Sequence, residues 1–248
     1  MTIIVLPVQG RVIFKTHSLS RQLVRGLLMV LSTVLFFSVL RRLPLAEATS
    51  LNFMAPLVLM ALAPWLLNEA HRLHRWIGVL MGFAGVLIIV RPGTQLDPVG
   101  VVLGLLNAIT LAFFQIATRR VASDHPLTTN YYGGLFGSLA LILAIPWFWI
   151  TPNLSPTQWL LLISTGLTGF AGHLMQIMAY SKTQATLLAP FSYLQIVAAA
   201  MLGWLFLGQL PDVTTALGIA LICLAGLAVV LWETRTSIQR IVRYQNMR

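Results

Sequence analysis

The apolar positions of this chain come in long blocks that contain no Asp, Glu, Lys or Arg, separated by short segments that carry the charges. Because an ionised side chain at the centre of a bilayer is costly, such blocks are typical of membrane spans whose ends lie near the charges. The blocks are rich in Leu, Ala and Gly without a period of two, which predicts helices and not barrel strands. Eight spans are predicted, at residues 26–40, 48–68, 76–90, 98–118, 126–150, 158–181, 183–211 and 213–232.

Two of these blocks, which begin at Gly26 and Trp76, are shorter than the roughly 20 residues that a helical span needs. Arginines stand at their ends, and a long arginine side chain can extend along the helix and place its guanidinium among the lipid headgroups. We therefore keep both blocks as spans and expect Arg25, Arg75 and Arg91 at the membrane surface.

The composition supports a membrane protein and argues against other classes. Hydrophobic residues make up 58% of the chain and charged residues 9%, whereas roughly a quarter of an average soluble domain is charged. The net charge of +10 comes from basic residues scattered at block ends, while nucleic-acid-binding proteins cluster such residues on one face. The single cysteine, Cys223, offers neither a disulfide framework nor metal-ligand spacing. We expect no nucleic-acid partner, no metal and no cofactor.

The basic residues are unevenly divided between the two sides of the predicted bundle. An even number of spans places both termini on one side, and that side carries 13 of the 16 Lys and Arg residues. The other side carries Arg41, Arg42 and Arg91. Because cytoplasmic loops are enriched in Lys and Arg, the sequence predicts that both termini are cytoplasmic.

An internal repeat relates the first three spans to the last three. The stretch EATSL at 47–51 matches QATLL at 184–188, and WLLNE at 65–69 matches WLFLGQ at 204–209 with a one-residue slip. Glycine signals at 78–85 recur at 218–226, and the offset stays between 137 and 141 residues. The two copies begin an odd number of spans apart, so they are predicted to be inverted in the membrane.

At these positions the chain resembles the EamA family of the drug/metabolite transporter superfamily, and the likeness extends from about Leu23 to Glu233. The motifs that carry it are PLAEAT at 44–49, Ala55 with Pro56, NE at 68–69, GVLMGFAGVLIIVRPG at 78–93, LGQ at 207–209 and LGIA at 217–220.

The resemblance implies a carrier built from two inverted five-span repeats, in the plasma membrane of a bacterium. Against that pattern we interpret residues 1–95 as a truncated, three-span first repeat, 96–235 as a five-span second repeat, and 236–248 as a basic cytoplasmic tail. The first one to two helices of the family pattern are expected to be missing. The fold class predicted is thus an all-α integral membrane protein of about eight transmembrane helices.

His173 is the one histidine within a predicted span, and Gln176 and Tyr180 follow it on the same helix face. These side chains would be unpaired against lipid, so we expect them inside the bundle, where they either line a substrate path or hydrogen-bond neighbouring helices. Amide and aromatic side chains suit an amphipathic organic substrate better than a bare ion. The other candidate substrate-binding residues are Gln184, Tyr193, Gln195, Asn52, Asn107 and Gln115.

The sequence and the resemblance together predict a transporter of a small organic metabolite or drug-like molecule, working by alternating access in the lipid bilayer. Amino acids and related metabolites are the substrates that the resemblance implies, with export as the favoured direction. Two alternatives stay open: an inactive or assembly-only fragment, and a membrane enzyme, which would need a cluster of acids or histidines at one membrane face. Whether the chain forms a homodimer is also open.

Overall fold

The computed structural model describes residues 14–43, 45–70, 72–90, 97–148, 154–207 and 212–245, and every regular element in these ranges is helical. The predicted all-α fold class is confirmed. The helices are α1 Leu19–Leu40, α2 Leu45–Asn52, α3 Ala55–Leu67, α4 Leu73–Val90, α5 Pro98–Arg120, α6 Pro126–Phe148, α7 Pro156–Lys182, α8 Ala185–Leu188, a 3₁₀ helix Ala189–Tyr193, α9 Leu194–Leu207 and α10 Val213–Gln245.

Each predicted span coincides with a helical segment of the described chain. Four helices carry the first, third, fourth and fifth spans, and α4 is shorter than the rest of that group. Length and hydropathy mark six segments as able to cross a membrane: Leu19–Leu40, Ala48–Leu67, Pro98–Arg120, Pro156–Lys182, Ala185–Leu202 and Val213–Arg235. The protein is therefore a multi-pass membrane protein.

The second and seventh spans are broken helices. In the second span, α2 ends at Asn52 and α3 begins at Ala55, with Pro56 in the first turn of the new helix. In the seventh, a 3₁₀ helix that contains Pro190 separates α8 from α9. Proline lacks the N–H that a helix interior needs, so both breaks fall where the chain lacks a donor.

Local chemistry fixes several helix ends. Proline is the first residue of α5, α6 and α7, a position at which its missing N–H costs nothing. At the start of α7 the Ser155 hydroxyl accepts from the Gln158 N–H while the Gln158 side chain accepts from the Ser155 N–H, which is a capping box. At the end of α3, Asn68 adopts a left-handed conformation with φ of 53°.

The chain divides into two compact units. The first unit comprises Met1–Val34 and Phe113–Gln184, and the second comprises Leu35–Ala112 and Ala185–Arg248. Each unit combines segments from both of the predicted repeats. The repeat boundaries proposed from the sequence stay a prediction.

Glycines allow close helix packing within each unit. In the second unit α4 and α10 approach so closely that a Cβ at Gly85 would lie 2.9 Å from the Gly218 carbonyl oxygen. In the first unit a Cβ at Gly26 of α1 would lie 2.6 Å from the Phe136 ring of α6. Small residues at helix contacts are the usual basis of packing in membranes, where the hydrophobic effect does not draw helices together.

Candidate functional site

The first unit contains a cavity of about 610 Å³ between α1, α6 and α7. This volume lies within the range of ordinary metabolite pockets. The wall combines apolar side chains with a cation, an amide and an imidazole. Its lining residues are Arg25, Met29, Asn130, Gly133, Gly134, Ile163, Gly166, Leu167, Phe170 and His173.

Arg25 lies on the second turn of α1 and is only 1% exposed. Its Nε donates to Thr118 Oγ1 over 3.0 Å and its Nη1 to the Thr129 carbonyl over 3.2 Å. The Thr118 hydroxyl donates to the Phe114 carbonyl, which leaves its oxygen free to accept from the guanidinium. The guanidinium carbon also lies 4.9 Å from the centroid of the Phe114 ring, within cation–π range.

The other two polar groups of the wall come from α6 and α7. Asn130 is buried and its side-chain nitrogen donates to the Phe170 carbonyl over 3.2 Å, so that bond ties α6 to α7. The His173 ring meets the Phe114 ring edge-on at 6.4 Å between centroids. A cation, an amide and an imidazole among methionine, leucine and phenylalanine side chains form a site for an amphipathic organic molecule.

Five of the nine predicted site residues lie in the first unit, and of these His173 lines the cavity. Gln176 is half-buried one turn further along α7, and Gln184 is half-buried just after that helix. Tyr180 is buried, and its carbonyl accepts from Arg119. The Gln115 side-chain oxygen is buried without a hydrogen-bond partner among the described residues.

The other four predicted residues lie in the second unit. Asn107 donates to the Asn52 side chain over 2.9 Å, a polar pair at the end of α2. Tyr193 is fully buried against Phe53, and its hydroxyl has no hydrogen-bond partner in the described part of the chain. Gln195 is exposed on α9. The structure thus distributes the nine residues over both units, and their role in binding stays a prediction.

The expectation that the guanidinium groups of Arg25 and Arg75 extend among the lipid headgroups is wrong, because protein atoms bury both side chains. Cutting the sequence at charged residues placed Arg25 before the first span, but α1 begins six residues earlier, at Leu19. The spacing of Gln22 and Arg25, three residues apart on one helical face, was the signal available for this position. Arg91, the third such arginine, lies outside the described residues.

Arg75 is held in a polar network of the second unit. It donates from Nε to Glu233 over 2.7 Å and from Nη1 to the Thr186 hydroxyl. The Glu69 carboxylate accepts from the backbone N–H groups of Ala185 and Thr186, at 2.7 and 2.9 Å. Carboxylates stabilise helix amino termini in this way, so Glu69 caps α8 while Arg75 links α8 to α10.

A family model described as the EamA-like transporter family matches residues 1–91 and 98–232. The chain belongs to the EamA-like transporter family. The resemblance in the sequence is thereby confirmed. A solved crystal structure shares this fold: it superposes with a TM-score of 0.78 at 22% identity, over 94% of this chain and 83% of that chain.

Curated relatives of this EamA-like chain are named as transporters. It is 27% identical to an S-adenosylmethionine uptake transporter of Rickettsia bellii, over 94% of this chain and 79% of the relative. It is 33% identical to the pseudopaline exporter of Pseudomonas aeruginosa, over 85% and 76% respectively. It is 29% identical to a riboflavin transporter of Vibrio cholerae, over 78% and 65%. These names support a small-molecule transporter and not an enzyme.

Proposed function

We propose that this protein is an alternating-access carrier of a small organic metabolite and that the substrate passes through the cavity of the first unit. The observation that carries the proposal is this cavity of about 610 Å³, in which Arg25, Asn130 and His173 interrupt an otherwise apolar wall. Membrane carriers bind their substrates at such polar interruptions within the bilayer. The relatives named for S-adenosylmethionine, pseudopaline and riboflavin support an organic substrate.

We place the protein in the bacterial inner membrane, as the family resemblance implies, with both termini in the cytoplasm, as the distribution of Lys and Arg predicts. We also retain the division into repeats at 1–95 and 96–235, with a tail at 236–248. Fusing alkaline phosphatase or green fluorescent protein to the carboxyl terminus tests the orientation. Fluorescent cells without phosphatase activity are expected, and the reverse result would contradict it.

Transport is tested with the purified full chain in proteoliposomes, using labelled S-adenosylmethionine and riboflavin as probes. Protein-dependent exchange of at least one of the two probes across the vesicle membrane is expected. A chain that is monodisperse and melts cooperatively, yet moves neither probe nor any member of an amino-acid panel, would favour the inactive-fragment alternative. Light scattering of the same preparation separates monomer from homodimer.

The role of α7 in the path is tested by replacing His173 and Gln176 with Ala in one double variant. Loss of a cavity-lining imidazole and its neighbouring amide should lower exchange by roughly tenfold, about the value of one or two hydrogen bonds. Thr168→Ala is the control because it removes a polar group from an exposed position of the same helix that does not line the cavity. Equal exchange by the double variant and the control would remove α7 from the path.

A further inference from the structure

We propose that Arg25 binds the negatively charged group of the substrate, so that the molecule carried is a small organic carboxylate. The proposal rests on the proposed function, because it names the chemical class that the cavity of the first unit would accept. Its basis is a buried arginine at the cavity wall that has no acidic partner among the described residues.

Arg25 has no carboxylate partner among the described residues, in which no Asp or Glu oxygen lies within ion-pair distance of it. The sequence of the first unit contains one acidic residue, Asp124. Its carboxylate oxygens accept hydrogen bonds from Thr16, His17 and Gln22. The one acidic residue of this unit therefore binds these three residues and not Arg25.

An arginine cannot relieve this burial by losing its proton, since its guanidinium stays charged in proteins. The guanidinium has five N–H donors, and Thr118 and the Thr129 carbonyl engage two of them within the described chain. A hydroxyl, a carbonyl and an aromatic face lower the cost of burial but carry no compensating negative charge. An oxyanion that enters the cavity would supply it.

Glycine at position 133 makes room for this cation at the wall. A Cβ at Gly133 would lie 2.7 Å from Arg25 Nη1, closer than real Cβ atoms approach. Gly133 and Arg25 both line the cavity. The backbone of α6 thus accommodates the guanidinium next to the space that a ligand would fill.

The chemistry of the wall favours a carboxylate on an organic body. A planar guanidinium pairs with two carboxylate oxygens at once, through parallel N–H bonds that are stronger than neutral hydrogen bonds. Asn130 and His173 can bind a polar group near that carboxylate, and the apolar residues suit the remainder of the molecule. A phosphate would share the attraction to Arg25, so the test includes a phosphate arm.

Binding is measured separately from transport, as the rise in unfolding midpoint of the purified full chain in detergent with each probe. The probes are matched pairs: L-methionine with L-methioninamide, L-phenylalanine with L-phenylalaninamide, and adenosine 5′-monophosphate with adenosine. Acids should raise the midpoint of the wild-type chain and their amides should not, because a ligand that binds the native state stabilises it. A rise with the monophosphate alone would replace carboxylate by phosphate as the class.

The variant Arg25→Gln should bind the acids at least tenfold more weakly than the wild type. The affinity of Arg25→Lys for the acids should lie between those of Arg25→Gln and the wild type. Arg120→Gln, which removes an equal charge from an exposed position of the same unit, should bind as the wild type does. If Arg25→Gln fails to fold, Gly133→Ala serves instead, since it keeps the charge and displaces the guanidinium. Its acid affinity should then fall while Gly169→Ala, with no atom within 4 Å of the new Cβ, stays unchanged.

Failure of this proposal and failure of the proposed function give different results. Exchange in vesicles without preference for acids over amides, or with full acid binding by Arg25→Gln, overturns the role of Arg25 and leaves the carrier intact. Acid binding that depends on Arg25, without exchange of any probe, supports the role of Arg25 and overturns transport. Absence of both contradicts both.

Discussion

Each of the two units buries an arginine almost completely. The two arginines differ in their partners: one contacts a carboxylate and the other contacts neutral groups. Arg75 of the second unit is 2% exposed and bonds to the Glu233 carboxylate and the Thr186 hydroxyl. Arg25 of the first unit is 1% exposed and contacts a hydroxyl, a carbonyl and an aromatic ring. The paired charge of Arg75 holds helices together, whereas Arg25, which has no acidic partner in the described part of the chain, is the residue that we propose binds a ligand.

The largest expected effect comes from removing the paired charge. Arg75→Gln should cost about 3 kcal/mol of unfolding free energy, because it leaves the partly buried Glu233 without its closest cation. The loss of unfolding free energy should not exceed this value, since Arg72 and His74 still contact Glu233. Arg25→Gln should leave the free energy nearly unchanged.

The measurement is denaturant unfolding of both variants in the same detergent, followed by tryptophan fluorescence. Equal destabilisation by the two substitutions would end the contrast, since Arg25 would then be as structural as Arg75. Arg120→Gln reports the effect of removing a charge from an exposed position.

A smaller effect is expected at the helix contact of the second unit. In Gly85→Ala the new Cβ would lie 2.7 Å from Ile222 and 2.9 Å from the Gly218 carbonyl, so α4 and α10 must separate. Overpacking of this kind costs about 1 to 3 kcal/mol. Gly226→Ala on α10, whose nearest neighbour would be 4.0 Å away, is the matched control.

The unfolding midpoints of these two alanine variants are compared with that of the wild type. A midpoint for Gly85→Ala at or above that of Gly226→Ala would mean that this contact is not tight. Acid binding should be unchanged in both, because neither glycine lines the cavity of the first unit.

The smallest effect concerns pH and the single acid of the first unit. Burial raises the pKa of Asp124, but hydrogen bonds from Thr16, His17 and Gln22 outweigh it and hold the pKa at about 2, below the ordinary 3.8. A carboxylate whose pKa is lower in the folded than in the unfolded chain stabilises the fold at every pH above the unfolded pKa. For Asp124 that stability is lost as the pH falls from about 4 to 2.

The wild-type midpoint should therefore fall by a few degrees over that acid range, and Asp124→Asn should already be lower at pH 7 and show less of this fall. Asp97→Asn is the control: hydrogen bonding to Arg42 lowers the pKa of that partly exposed carboxylate, and solvent screening makes its contribution small. The same pH slope in Asp124→Asn and the wild type would contradict the assignment.

The apolar blocks alone predicted the helices, because membrane spans of this length without a period of two are helices and not barrel strands. The blocks predicted helix ends less well where a helix continues beyond a charged residue. The helix α1 begins at Leu19, before Arg25, because Thr118 and other protein groups hydrogen-bond the Arg25 side chain in place of water. The breaks at Pro56 and Pro190 carried a sequence signal, but the capping of α8 by Glu69 depends on residues 116 positions apart.

The candidate site was predictable only in part. His173 was identified because a histidine within an apolar block is unusual, and it does line the cavity. Asn130 could have been identified in the same way, since it is a polar residue within a predicted span and follows two threonines at the start of α6. The cavity itself was not predictable, because it depends on how α1, α6 and α7 pack, and single-sequence patterns do not record packing.

Exchange in proteoliposomes that contain the wild-type chain or Arg25→Gln tests most directly whether the unpaired arginine serves a substrate. Labelled L-methionine outside is exchanged against unlabelled L-methionine or L-methioninamide inside. The wild type should exchange against the acid and not the amide, and Arg25→Gln should lose at least nine-tenths of that exchange while keeping its unfolding midpoint. Equal exchange by the two proteins, or equal exchange against acid and amide, would contradict the account.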